Sequence, residues 1–407
     1  MSEVLFPPTR RAALDRLEHF LPAAGARYQA QRNFEQGPSG HSNVSLLSPY
    51  LRHRVIDERE VIDRVLETHD FIAAEKFVDE VFWRTYWKGW LEYRPAVWAN
   101  FLERLQYDRR RLEIDTALQR RYQDAISGDS GIHLVDVWIN ELKCTGYLHN
   151  HARMWFASMW IFTLGLPWTL GAALFMQYLL DGDPASNTLS WRWVAGLHTP
   201  GKIYLATQEN LERYAAARFK DAAGRRGLER LSRQASALTE PPIPDPTAPV
   251  CPRLDVDLDF DGLLLTEDDL GLSVTRAPRA TAVWMAAASN VCPVSGSVQQ
   301  FKDNLAADAL DRIADAWPAS EVHGCLKSVN AVVDWIQTER LQHIVMPYVP
   351  QGFLRPHVEE LQARVRATGA HLTLFTREHD RLTWPYCQKG FFQLKRHIRG
   401  WVESAHG

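Results

Sequence analysis

Leu180-Asp181-Gly182-Asp183-Pro184-Ala185-Ser186-Asn187-Thr188-Leu189-Ser190-Trp191-Arg192-Trp193 is the stretch on which the reading of this chain turns. It packs two carboxylates, an amide and two tryptophans directly behind Met154–Leu180, a run with no charged side chain. That run is long enough to cross a bilayer, but Gly165-Leu166-Pro167 breaks it near the middle. The reading it favours is two buried helices joined by a turn, with no membrane span. Asp-Gly-Asp then forms a tight turn at the mouth of a buried helix. Such a turn is most often only a turn; a metal site or an acceptor for sugar hydroxyls are the other readings. Arg153 lies at the far end of the run and is the expected partner of Asp181, because a buried carboxylate needs one.

Working outward, residues 1–235 carry apolar side chains at three- and four-residue spacing, as in Arg10–Leu21, Glu58–Glu67, Ile72–Leu91 and Trp98–Leu105. Thr9 is a natural cap for the first of these. Residues 236–254 are rich in proline and read as an extended linker. Residues 255–407 change to alternation: short apolar runs at Leu263–Leu265, Ala282–Ala287, His343–Met346 and His371–Phe375 alternate with helical patterns at Gln299–Trp317, Ser328–Thr338 and Arg355–Ala367. This predicts a mainly α protein whose helical domain is followed by a smaller α/β, Rossmann-like domain with a parallel sheet. No glycine-rich phosphate loop is present. The net charge of -3 excludes a uniformly basic nucleic-acid binder, though not a local basic patch. Five scattered cysteines without a CxxC argue against a metal centre or a disulfide framework. Met1–Arg11 has no apolar signal core, so a cytoplasmic protein is expected.

Candidate chemistry clusters in three further places. Glu80, Trp83, Arg84 and Trp87 recur at helical spacing, and a glutamate inside a tryptophan stripe is costly to bury without a partner. Asn150 and Met154 share a helix face; a capping amide and a core methionine would explain them equally well. Ser45 and Ser48 flank the start of a helix, where hydroxyls and free N–H groups suit a phosphate or serve as ordinary caps. Fifteen tryptophans fill core for the most part.

These blocks, together with Phe6-Pro7-Pro8-Thr9-Arg10-Arg11 through Tyr28-Gln29-Ala30-Gln31-Arg32-Asn33 and Leu47-Ser48-Pro49-Tyr50-Leu51, resemble the flavin domain of the DNA photolyase/cryptochrome family over roughly residues 5–220. The resemblance implies FAD in a helical domain, with Tyr28, Ser45 and Ser48 on its pyrophosphate side. It places Arg84, Arg153 and Asp181 at the cofactor wall, Asp183 beside the ring and Asn187 at the flavin N5. It also implies a lesion pocket of Arg32, Glu80, Trp83, Asn150, Met154 and Trp193, the set seen in cyclobutane pyrimidine dimer photolyases. Members that repair (6-4) lesions resemble one another in carrying histidine where Asn150 and Met154 stand. Trp191 and Trp168 match two members of the family's photoreducing tryptophan chain, with Trp98 and Tyr107 as candidates for the third.

The implied activity is that of a deoxyribodipyrimidine photolyase, a lyase acting on damaged DNA. A cryptochrome-like photoreceptor, or an FAD-binding relative without repair, is the alternative. A second antenna chromophore of unknown identity would fit the family. Two departures stand out. The α/β pattern follows the helical part, and Gly390-Phe391-Phe392-Gln393-Leu394 resembles the close of the family's N-terminal antenna domain, which suggests a circular permutation. The usual Thr-Ser pair before LSPYL is Val44-Ser45 here.

Overall fold

The Thr9 hydroxyl accepts the Ala12 N–H and starts the first helix, as expected. In the computed structural model, which describes residues 5–403 except 38–40, 220–222, 255–257, 273 and 288, helices then follow one another. They are α1 (Arg10–Phe20), α2 (Ala26–Gln31), α3 (Ser48–Arg52), α4 (Glu58–Thr68), α5 (Phe71–Glu92), α6 (Pro95–Ile114), α7 (Thr116–Ser127), α8 (His133–Thr145), α9 (Asn150–Ser158), α10 (Trp168–Tyr178), α11 (Pro184–Val194) and α12 (Gln208–Tyr214). The uncharged run is indeed two elements: α9, prolonged by a π turn over Met159–Thr163, and α10, most of whose side chains are buried. No helix among the described residues is long and apolar enough to cross a membrane.

Residues 231–261 carry no helix or strand where they are described, and the expected boundary at 255 falls outside the described residues. The proline-rich stretch is strapped to the helices: Leu238 N–H donates to the Ala195 carbonyl (3.0 Å) and Thr247 N–H to the Tyr93 carbonyl (2.9 Å). Beyond it β1 (Gly262–Thr266), β2 (Ala280–Trp284), β3 (Glu321–Leu326), β4 (His343–Pro347) and β5 (His371–Phe375) form one parallel sheet in the order β3-β2-β1-β4-β5. The crossovers use α13 (Gly296–Ala316), α14 (Val329–Thr338) and α15 (Val358–Ala367), and the chain closes with α16 (Glu378–Thr383) and α17 (Phe391–Glu403). Strand β3 was not legible in the sequence. It is an exposed edge strand with Glu321, His323 and Gly324 in it, and a register shift between Thr281 and Val283 interrupts its pairing.

Helices α14 and α15 cover one sheet face with their own apolar cluster, including Val332, Ile336, Leu361 and Val365. The other face, with α13, shares a continuous core with the helical part. Gly89 of α5 allows this approach: a Cβ there would lie 2.7 Å from Trp384 and 2.8 Å from the Cys387 sulfur.

The carboxyl ends of β1 and β4 form the crevice at which doubly wound sheets take up ligands. Here the helical part fills it. Arg52, Arg54, Arg84 and Lys88 meet Glu58, Asp183, Glu267, Asp268, Asp269 and Asp380, with Lys302 and Arg377 completing a formally neutral cluster. No side chain in it is more than 11% exposed. Arg54 donates to Asp269 (3.2 Å) and Asp380 (2.9 Å), Arg377 donates to Glu58 (2.9 Å) and Asp380 (3.0 Å), and Arg52 donates to Asp268. Arg54 holds φ at 50°, a left-handed conformation that an arginine adopts at a cost. A cavity of about 30 Å³ remains beside Arg52, His53, Glu267 and Lys302, room for a water molecule.

Removing one member of such a cluster strands its partners. Arg54→Met is expected to cost about 3–5 kcal/mol in urea unfolding, because buried Asp269 loses its cation and Asp380 one of its two. The exposed Arg11, paired only with Asp15 four residues on, serves as control and should change stability by less than about 0.5 kcal/mol.

Acid should act through the same groups. Burial alone would raise the carboxyls of Glu58, Asp183, Asp268 and Asp380, but the neighbouring arginines and Lys88 carry all four below their ordinary values. Their contribution is complete above the unfolded carboxylate range, near pH ~4, and is lost as the pH falls through the depressed native values. Asp269 is raised by burial despite Arg54 and works in the opposite sense. The thermal midpoint should therefore drop from pH 6 to pH 3 in circular-dichroism melts; a flat or rising midpoint would contradict the network.

Candidate functional site

Helix α5 supplies one wall. Asp70 caps it, and Phe77, Val78, Val81 and Phe82 bury one side. Glu80, Trp83, Arg84 and Trp87 form an inward stripe that stays partly exposed. Arg32, at the end of α2, donates to Glu80, so the carboxylate that the sequence left unpaired has a partner within the chain. The two side chains keep 29% and 31% exposure, which leaves them reachable. Burial raises the Glu80 carboxyl, with Arg32 pulling the other way. The Tyr28 hydroxyl faces Glu80 and Arg32, and its ring meets Phe20 and Phe77 edge-on.

Trp83 does not offer both faces. Its ring lies 3.9 Å from that of Phe391, nearly parallel at 9°. One face is thus covered by the first residue of α17, a contact no local pattern could announce.

Asn150 opens α9 and is exposed, while Met154 is half-buried one turn on. His149 caps this helix, its Nδ1 accepting the His151 N–H (3.2 Å), and burial lowers its pKa to about 3. His151 draws three elements together: its ring nitrogens meet the Asn33 carbonyl (2.9 Å) and the Tyr204 hydroxyl (3.1 Å). Trp193 stacks on Tyr204 at 5.5 Å. Arg32, Asn150 and Trp193 are thereby held on neighbouring elements.

The second wall follows from the Asp-Gly-Asp turn. Arg153 binds Asp181 through both terminal nitrogens (2.9 and 2.8 Å) and donates from Nε to the Leu148 carbonyl, so the expected pair is formed. Asp183 caps α11 by accepting the Ser186 N–H (2.8 Å) and is paired with Lys88 at 3.0 Å. Asn187 donates from Nδ2 to the Ala172 carbonyl (2.8 Å), which orients the amide and leaves Oδ1 as its free acceptor. Ser45 and Ser48 flank Leu46, held in the left-handed region at φ 55°. Among the described residues neither serine side chain has a hydrogen-bond partner.

Trp191 sits in a slot left by Gly171, where a Cβ would lie 2.3 Å from its ring. Its ring contacts run to Phe175 (5.1 Å) and Trp160 (6.4 Å), and from Trp160 to Tyr122 (5.9 Å). Trp168 instead leads through Phe101 (5.5 Å) to Trp98 (5.3 Å). Tyr107 is half-exposed under Arg104.

Residues 77–216 match the family model described as the FAD binding domain of DNA photolyase. The chain is 36% identical over 166 residues to the deoxyribodipyrimidine photo-lyase of Streptomyces griseus, covering 39% of this chain and 35% of that one. It is 34% identical over 197 residues to a Thermus thermophilus protein of the same name, covering 48% and 45%. A bacterial class III photolyase structure from Agrobacterium tumefaciens aligns at 26% identity with a TM-score of 0.40, over 52% of this chain and 44% of that one. The chain thus spans less than half the length of the relatives it matches. Over residues 77–216 its helical part matches the FAD-binding domain of DNA photolyase, and the similarity to these two photolyases covers less than half of the chain.

The side chains fit that cofactor. Arg84 keeps Nε and Nη2 buried without hydrogen bonds, and unfilled guanidinium donors inside a protein suit an anion such as a pyrophosphate. Burial lowers the Arg84 pKa, with Asp183 and Glu58 opposing, so a further anion would be welcome there. The free serine hydroxyls and the Asn187 Oδ1 add donors and an acceptor for phosphate and ring N–H. Lys88 and Arg52, which set the charge at Asp183, were missed in the sequence. Lys88 was legible as an ammonium among the tryptophans of an aromatic helix, and Arg52 only as a charge following an apolar block.

Arg153→Met should leave Asp181 without its bidentate partner. Flavin retained per chain after gel filtration is expected to fall, with at least about tenfold weaker FAD binding, or ~1.4 kcal/mol. Unchanged flavin content would place the pair outside the cofactor wall.

Proposed function

We propose that this chain is a light-driven deoxyribodipyrimidine photolyase that repairs cyclobutane pyrimidine dimers in DNA, acting in the cytoplasm. The observation that carries the reading is that Arg32 pairs with Glu80 beside Trp83, while Trp193 stacks on Tyr204, which meets His151 next to Asn150, and His151 in turn meets Asn33 next to Arg32. When bound, reduced FAD supplies an electron to the dimer under blue or near-UV light and recovers it once the ring has split. The protein's work is to hold and orient. Glu80 and Asn150 can bond pyrimidine carbonyl and imide groups, Met154 and Trp193 give apolar walls, and Arg32 supplies charge near the phosphates. Drawing a dimer out of the duplex costs less than drawing out intact bases, because its stacking is already impaired. Trp191 and Trp168 would pass electrons inward to return oxidised flavin to its reduced state.

We read the α/β unit as a permuted counterpart of the family's antenna domain, on its strand order and its place against α5. A second chromophore would have to bind outside the crevice, whose remaining space is that of a water. One observation favours the rival photoreceptor reading: Glu80 is already paired with Arg32 and one face of Trp83 is already covered by Phe391, so a lesion would compete with partners the chain itself supplies.

The test is loss of dimers from irradiated thymine oligonucleotides under blue light with chemically reduced protein. Glu80→Ala should lower repair by about 1–3 kcal/mol in transition-state terms while FAD stays bound. Trp191→Phe should slow photoreduction and leave repair by pre-reduced protein intact. A flavin-loaded wild type that repairs nothing in light would leave the photoreceptor as the reading.

A further inference from the structure

Helix α17 is amphipathic. Phe391, Leu394, Ile398 and Val402 are buried against the body, and Phe391 reaches Trp83. The next side chain, Phe392, is 74% exposed, and its ring lies 6.3 Å from that of Phe391. Phe392 is thus open to contact from outside the chain. Arg396 stands one turn on along the same face, and Lys389 lies just before the helix. Neither cation has an acidic partner among the described residues. The nearby carboxylates are taken: Glu75 and Asp79 by Lys395, and Glu403 by Arg399.

This face is tied to the rim of the candidate pocket. The Tyr86 hydroxyl donates to the Lys389 carbonyl (2.9 Å) and meets the His198 ring nitrogen (3.2 Å) on the segment that follows Trp193. An aromatic side chain between two cations without acidic partners, beside the candidate lesion residues, has the chemistry of a nucleic-acid contact: ammonium and guanidinium for phosphates, and a ring for an unstacked base.

We propose that Lys389, Phe392 and Arg396 form a second DNA contact, in which the two cations grip phosphates flanking the lesion and Phe392 packs against the base left exposed when the dimer leaves the stack. The inference rests on the repair reading above and adds a contact from the part of the chain that lies beyond the family match.

The test is fluorescence anisotropy of the FAD-loaded full chain with a duplex carrying one thymine dimer and with the same duplex undamaged, over a salt series. Lys389→Ala with Arg396→Ala should weaken binding to both duplexes roughly three- to tenfold and reduce the salt slope by about 2, one phosphate contact each. Phe392→Ala should weaken binding to the dimer duplex alone. These exposed substitutions should leave flavin content and thermal midpoint unchanged. If the wild type binds dimer DNA and the variants bind with the same affinity and slope, the second contact is wrong and the repair reading stands. If the wild type binds neither duplex, both fall together.

Discussion

Asp183 is where the halves of this molecule meet chemically. It caps α11, pairs with Lys88 of α5, and lies 3.9 Å from Arg52, whose guanidinium in turn binds Asp268 after β1. One carboxylate therefore links the Asp-Gly-Asp turn, the aromatic helix and the sheet. Around it the buried charges balance, and each is met by at least one opposite charge. Such a cluster gains little over an apolar interface but tolerates the loss of no member. It fixes which surface of the sheet the helices can dock on, since only the ends of β1 and the α16 region offer the carboxylates that Arg52 and Arg54 need. Tyr348, after β4, adds a neutral version of the same device by donating to Glu92 of α5 at 2.7 Å.

Helix α5 is the element on which site and interface both depend. Its stripe of Glu80, Trp83, Arg84 and Trp87 holds the candidate site residues, while Lys88 and Gly89 face the buried charges and the close approach of Trp384. The interface therefore sets the rotation of α5, and with it the aim of Glu80 and the one free face of Trp83. If the proposed function holds, such a site has little tolerance for loose geometry, because contacts to a flipped base and to a flavin would have to be held at once.

How much was legible follows from range. The helices with strong apolar spacing, the split of the uncharged run and four of the five strands could be read, because each is a local pattern. The Arg153–Asp181 pair could be read because a single buried run joins its ends. Strand β3 could not, since Glu321, His323 and Gly324 hide an edge strand from any apolar count. Nor could the interface: Arg52 and Asp268 lie 216 residues apart, and Phe391 meets Trp83 from the far end of the chain. The partner of Glu80 was half legible. The sequence said that one was required, and the fold supplied Arg32.

The central claim is that the buried charge cluster makes helical part, sheet and flavin wall one cooperative structure. Differential scanning calorimetry with and without FAD tests it most directly. The account predicts a single endotherm whose midpoint rises as a whole when FAD is added, because ligand bound at one wall stabilises everything welded to it. Two endotherms, of which only one moves with FAD, would show that the sheet and the helical part unfold independently and that the cluster does not couple them.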